Sequence, residues 1–322
     1  MREPSASDPA IYGSQLGIFL DLPLIRGDET PYAGTVAAYG APWPGVVAFY
    51  RSPATSGYTL KALATRPAVV GVTAADFHPG PTSRWDEGNR LRVVLSAGEL
   101  ASAAELLVLG GANYCAVENA DRAWEVIQFR DAELIASLTY ELSGLLRGQH
   151  GTEGAMGDPV AAGALFVLLD EALVQTDMVQ ADIGLAFNWK YGPARYDIGH
   201  PSYQATVRAF SGIGLRPLSP VHVSGRQVPG GLEISWIRRT RSGGDGWEQV
   251  EVPLAEDGEA YELDILDGAT VKRTLSSSTP GLLYTTAQQI TDFGAPQPGY
   301  AVRVYQLSAS YGRGQAREAT VP

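Results

Sequence analysis

The chain has 322 residues, 45% hydrophobic and 18% charged, which is enough for more than one hydrophobic core and sets an expectation of two or three domains. A net charge of -11 argues against bulk electrostatic binding of nucleic acid or an anionic membrane, because each phosphate contact needs a compensating cation. The lone Cys115 excludes an intramolecular disulfide and a thiolate metal cluster, while 37 Gly and 21 Pro favour turn-rich β architecture over helical bundles.

Residues 1–15 mix Pro, Ser and Asp without periodicity and read as a surface arm. They lack the apolar core of a signal peptide, and the longest aliphatic run, residues 160–169, is half a membrane span. Neither secretion nor membrane insertion is expected, and the cytosol is the expected folding site. From residue 16 the runs LGIFLDLPLI, GTVAAYG, GVVAFYR and YTLKALA read as strands separated by turn-forming clusters such as APWPG at residues 41–45. DFHPGPTSRWDEGN, residues 76–89, is a long excursion or a boundary between two modules, and RLRVVLS resumes the strand pattern. ELASAAELLVL, residues 99–109, has helical spacing, with Leu100, Ala103, Ala104 and Leu107 on one stripe.

The stretch from Trp124 to Glu153 then reads as two strands in period two that break into glycine and charge. In the first arm Trp124, Val126, Gln128 and Arg130 face one way and Glu125, Ile127, Phe129 and Asp131 the other. In the second, Leu138, Tyr140, Leu142 and Gly144 share a side, after which Gly144, Gly148 and Gly151 permit backbone conformations closed to other residues. AAGALFVLLDEALVQTDMV and IGLAFNWKYGP supply further strands, with residues 167–171 equally able to continue as half a helical turn. The pattern restarts at Leu215, which sets a domain boundary between residues 16–215 and 216–322. The second domain carries about seven strands, from VHVSGRQV and GLEISWIRR through AYELDILDG, TVKRTLS, LLYTTAQQI and YAVRVYQLS to REATV, a sandwich signature.

The side chains capable of chemistry are dispersed. His78, His150, His200 and His222 stand singly, with no pair at metal-ligand spacing, and Cys115 lies in a strand-like run with no nucleophile signature around it. A Gly-x-Ser-x-Gly elbow is missing, since Gly13-Ser14-Gln15-Leu16-Gly17 lacks the spacing and a preceding strand. Carboxylates cluster over residues 251–267 without a groove to bring two together, and Arg238, Arg239 and Arg241 read as a solvated strand end. No catalytic residue, cofactor or metal is therefore expected. Trp43 between two prolines, Trp85 in a polar loop and Trp247 in a glycine-rich insertion are not explained by strand periodicity. They are candidates for an intersubunit or glycan surface.

LSGLLRGQHGTE, residues 142–153, resembles the LxGLLRGxxGTE signature of the large tail-tip proteins of phage-like gene transfer agents. PYAGTVAAYGAPWPGVVAFYRS at residues 31–52, NRLRVVLSAGEL at 89–100 and GGANYCAVEN at 110–119 resemble that family too, so that the likeness extends over most of the chain. Residues 216–322 resemble a fibronectin type III domain, with Trp236 at the position of its second-strand core tryptophan and YAVRVYQLSA as its penultimate strand. The resemblance implies an all-β, multi-domain fold with little helix, made of a sandwich or barrel tail domain followed by a fibronectin type III-like sandwich. It also implies a structural, non-enzymatic role at the tail tip or baseplate of a virion-like particle, with host attachment and DNA delivery as its functions. Other baseplate proteins and further copies of the chain, a trimer being usual for hubs, are the implied partners, with Arg147 as a turn-fixing or interface group. The alternative readings are a carbohydrate-binding module for a cell-surface glycan and, further off, a cell-wall or capsule hydrolase.

Overall fold

The computed structural model describes residues 15–244 and 252–322, so residues 1–14 of the arm expected over residues 1–15, and Trp247, lie outside the described residues. The chain is almost entirely β, as its composition implies, and divides into two compact units. The first comprises Met1–Asp21, Tyr32–Arg147 and Gly157–Ser211; the second comprises Leu22–Pro31, Gly148–Met156 and Gly212–Pro322.

The first unit contains, in chain order, β1 (Leu16–Leu20), β2 (Thr35–Tyr39), β3 (Val47–Ser52), β4 (Thr59–Ala64), β5 (Val70–Thr73) and β6 (Leu91–Leu95). The short helix α1 (Glu105–Leu109) follows, then β7 (Tyr114–Glu118), β8 (Trp124–Ala136), β9 (Thr139–Leu146), β10 (Leu165–Leu168), β11 (Val174–Gln175), β12 (Phe187–Pro193) and β13 (Gln204–Arg208). Six of these close into a barrel in the order β10-β5-β6-β9-β8-β7. Strict alternation on β6 sends Leu91, Val93 and Leu95 inward, where they meet Ile127, Phe129, Tyr140, Leu142, Cys115 and Phe166 in one core. The other strands form two sheets, β1-β2-β11 and β13-β12-β3-β4, around a second core centred on Phe49, Trp189 and Phe210. Phe19 makes edge-on contacts with Phe49 and Trp189 across that core, the geometry that aromatic quadrupoles favour.

Two details of the central hairpin depart from simple alternation. Leu138 sits in the two-residue turn with φ of 52° and is exposed, rather than sharing a side with Tyr140 and Leu142. Gly144 is left-handed at φ 58°, so the inward series passes from Leu142 to Leu145 instead of continuing in steps of two. A Cβ on Gly144 would lie 2.9 Å from the Arg130 guanidinium carbon, and a side chain is excluded on that count as well.

The expected helix over residues 99–109 shrinks to Glu105–Leu109. Residues 101–104 instead run beside β8: Ala103 N–H donates to the Arg130 carbonyl and Ala132 N–H to Ser102 Oγ. Those bonds to β8 outweigh helical propensity. Val108 is the buried residue of the surviving turn, while Leu107, expected on the inner stripe, is 62% exposed. Residues 165–168 are strand, which settles the ambiguity at 167–171 in favour of β for its first part.

The second unit contains β14 (Val221–Val228), β15 (Gly231–Ile237), β16 (Tyr261–Asp267), β17 (Thr270–Ser277), β18 (Gly281–Thr285), helix α2 (Thr286–Phe293), β19 (Tyr300–Ser308), β20 (Gly312–Arg313) and β21 (Arg317–Val321). They form a sheet β14-β15-β18 and a second sheet β17-β16-β19 to which β20 and β21 add. Inward residues of both sheets share one core, where Trp236 packs edge-on against Tyr261 and Tyr284 against Tyr300. This is the two-sheet sandwich that the seven-strand pattern implies. The run LLYTTAQQI, expected as strand throughout, turns into α2 at Thr286: Thr285 Oγ1 accepts from Gln288 N–H, and Gln288 Oε1 accepts from Thr285 N–H.

Candidate functional site

The signature residue Arg147 stands one position beyond β9, with its side chain entirely buried. Its Nε and Nη2 donate to Oε1 and Oε2 of Glu125 on β8 at 2.7 and 2.9 Å. Its Nη1 donates to the His78 carbonyl at 2.9 Å and reaches Asp86 Oδ2 at 3.5 Å, and the guanidinium lies 3.9 Å from the centre of the Phe77 ring. One planar fork thus ties β8, the end of β9 and two points of the 76–89 excursion, a task suited to arginine geometry and not to lysine.

The excursion is stitched down further by reciprocal backbone bonds between Asp86 and Leu145. At Gly80 a Cβ would come within 2.1 Å of Asp86 Oδ2, so only glycine lets the loop pass this close. Burial opposes ionisation of Asp86, but the Asn89 side chain and backbone amide, Arg147 and the Gly88 amide outweigh it and hold the carboxyl below its ordinary range. Neighbouring Cys115 has its thiol pushed far up, chiefly by burial and further by Glu125, which makes it an inert core group.

With Asp86 turned inward, its neighbours Trp85 and Glu87 reach the surface. Arg130 of β8 places its guanidinium 5.4 Å from the Trp85 ring and donates to both carboxylate oxygens of Glu87, at 3.0 and 3.4 Å, and to Asp131 at 3.0 Å. The outcome is a half-exposed indole with an ionic rim, fixed from beneath by Arg147. Such a surface supports recognition by stacking and hydrogen bonding. Glu125 takes no part in that surface, since both of its oxygens accept from Arg147 in the interior.

The structure separates the other anticipated residues. Trp43 is half-buried against the Phe49–Trp189 core, distinct from Trp85, and acts there as a wall. The side chain of Arg147, one of the anticipated interface or glycan contacts, is buried between Glu125 and Phe77. His78 and His222 are exposed, His200 stacks on Tyr196 at 4.2 Å, and His150 lies in a short 3-10 turn with φ of 54°. The arginines read as a solvated strand end are instead engaged within the second unit. Arg238 donates to the carbonyls of Val252 and Pro253, Arg239 pairs with Glu153 and Ser219, and Arg241 pairs with Glu256 at 2.9 Å. Glu125, Asp86, Phe77 and Arg130 were not singled out in the sequence. The available signal was a glutamate on the inward parity of β8, beside Ile127 and Phe129, which requires a buried cation.

Residues 68–167 match a family model described as Rcc01698-like, C-terminal, a family associated with gene-transfer-agent-like proteins of Rhodobacter capsulatus. The matched interval begins just before β5 and ends within β10, so it coincides with the closed barrel. It is narrower than the likeness over most of the chain that the sequence motifs imply. No curated protein matches the chain.

Proposed function

We propose that the chain is a structural component of the tail tip or baseplate of a gene transfer agent or phage-like particle. It acts there by assembly and contact, contributes to host attachment and DNA delivery, and does so without catalysing a reaction. The observation that carries this reading is the coincidence of the family match with one closed barrel whose signature arginine is spent on an internal ion pair. A residue so placed holds a scaffold together, and the loop it anchors offers Trp85 and Arg130 as contact groups. On this reading the chain folds in the cytoplasm, joins other baseplate proteins as one of several copies about the tail axis, and leaves the cell within the released particle.

The test is localisation. Particles purified from producing cells that carry an epitope on this chain should bind the cognate antibody at the distal end of the tail in electron micrographs. Label on the head, or a chain recovered only from the soluble cytosol, overturns the assignment.

A further inference from the structure

The sheet β13-β12-β3-β4 buries one face against the Phe49–Trp189 core, and its other face, with Ala48, Ser52 and Gly192 covered, reaches solvent at Leu60, Ala205 and Val207. Period two and the pairing register fix what that outer face carries. Lys190 is opposite Tyr50 on one side and Ala205 on the other, Gly192 is opposite Ala48, and Asn188 is opposite Ser52 and Val207. Tyr50 stands 6.2 Å from Tyr203, and Tyr58, entering β4, lies 5.2 Å from the Lys190 ammonium. Three tyrosines therefore line a face crossing the sheet from its β13 edge to its β4 edge.

Several features set this face apart from an ordinary wet surface. Gly192 leaves room for the Tyr203 ring, which a Cβ would meet at 2.8 Å, and the Tyr203 hydroxyl donates to the Pro193 carbonyl at 3.2 Å, so the ring is held down on the sheet. Burial is the main reason that this hydroxyl titrates at about 12, with Tyr50 and Asp197 adding to it. Leu60 and Val207 border the rings and are 45% and 55% exposed. The cation is unmatched: the chain has three lysines, and Lys61 pairs with Asp177 and Lys272 with Asp267, while Lys190 has no carboxylate within ion-pair distance among the described residues. An acidic protein thus holds a lone ammonium among aromatic rings on an open sheet.

We infer that this face is a saccharide-binding platform for an oligosaccharide bearing an isolated carboxylate, such as a uronate or sialate. Tyr50, Tyr58 and Tyr203 stack on the apolar faces of successive sugar rings, Asn188 hydrogen-bonds hydroxyls, and Lys190 pairs with the carboxylate. Charge complementarity selects the ligand class. One free ammonium matches one carboxylate, whereas the net charge of -11 opposes a dense polyanion such as nucleic acid. The platform is separate from the Trp85 loop, and the inference stands independently of the particle assignment.

The experiment uses the full 322-residue chain on an array of uronate- and sialate-terminated oligosaccharides with their neutral counterparts and a deoxythymidine oligomer, followed by calorimetric titration of the best binder. Signal should concentrate on acidic saccharides. Lys190→Gln should weaken binding by about tenfold, as expected for one charge-assisted contact, and reduce preference over the neutral analogue. Tyr58→Ala, at a half-exposed position, should weaken acidic and neutral sugars alike, with melting temperatures close to wild type showing that both variants fold. An array with no saccharide signal, binding untouched by both substitutions, preference for neutral sugars, or equal binding of the deoxythymidine oligomer overturns the inference.

Discussion

Arg147 shows how a single residue can settle the meaning of a motif. A guanidinium that meets both oxygens of a buried glutamate is costly to remove, because its partner then keeps an uncompensated charge away from water. Arg147→Ala is expected to cost about 3–5 kcal/mol and to depress the first unit's thermal transition by about 10 °C. The double variant Arg147→Met with Glu125→Leu should recover most of that loss, and calorimetry on the pair of proteins checks both. In the second unit Asp292 is held below the ordinary carboxylate range, first by a bidentate bond from Arg273 and also by the Tyr284 hydroxyl. Asp264 is held low by Arg313 and Thr274 against the opposing effect of burial. Carboxylates whose folded pKa is depressed stabilise fully above their unfolded value near 3.8 and lose that contribution as pH falls through the lower folded value. Stability of the second unit should therefore fall as pH drops below about 4, and Asp292→Asn should flatten that dependence, as read by urea unfolding across a pH series. The sequence marked Arg147 through its glycine-rich setting. It could not show Glu125 and Asp86 as partners, because they are 22 and 61 residues distant and are brought together only by the register of the β8–β9 pairing and the docking of the 76–89 excursion on Leu145.

Elements were legible where one face is dry and the other wet. The alternation of β6 and the seven-strand rhythm of the second unit are of this kind, since burial imposes the period directly on the residues. The two helices were read less well, for opposite reasons. In residues 99–104 helical spacing is present but the backbone finds partners on β8; at α2 a Thr-x-x-Gln capping box is present but lies inside an apolar run that reads as strand. Leu107→Glu should change stability by less than about 0.5 kcal/mol because its side chain faces water, whereas Val108→Asp should be severely destabilising. Thr285→Ala should cost about 1 kcal/mol through loss of the cap. Chemical denaturation of the three variants separates these cases. The tyrosine platform was also hidden, as its residues fall on the face that periodicity assigns simply to solvent.

For the whole molecule, charge and edges govern behaviour in company. With an isoelectric point near 4.9, self-repulsion at neutral pH disappears about two units lower, while Leu106 and Leu109 on α1 and Leu134 and Ile135 near the hairpin turn remain exposed. Turbidity of a concentrated solution should peak near pH 5 and clear again by pH 7, and light scattering over a pH series checks it. The closed barrel has a different consequence. The six paired strands leave the barrel without a border strand, although β8 runs on past β7 from Phe129 to Ala136, where residues 102 and 103 cover only part of its outer edge. The open sheets do have border strands, β1, β11, β13 and β4 in the first unit and β14, β18, β17, β20 and β21 in the second. A composite sheet built from this chain by strand addition therefore starts at one of those borders or along the β8 extension, and leaves the closed part of the barrel as it is.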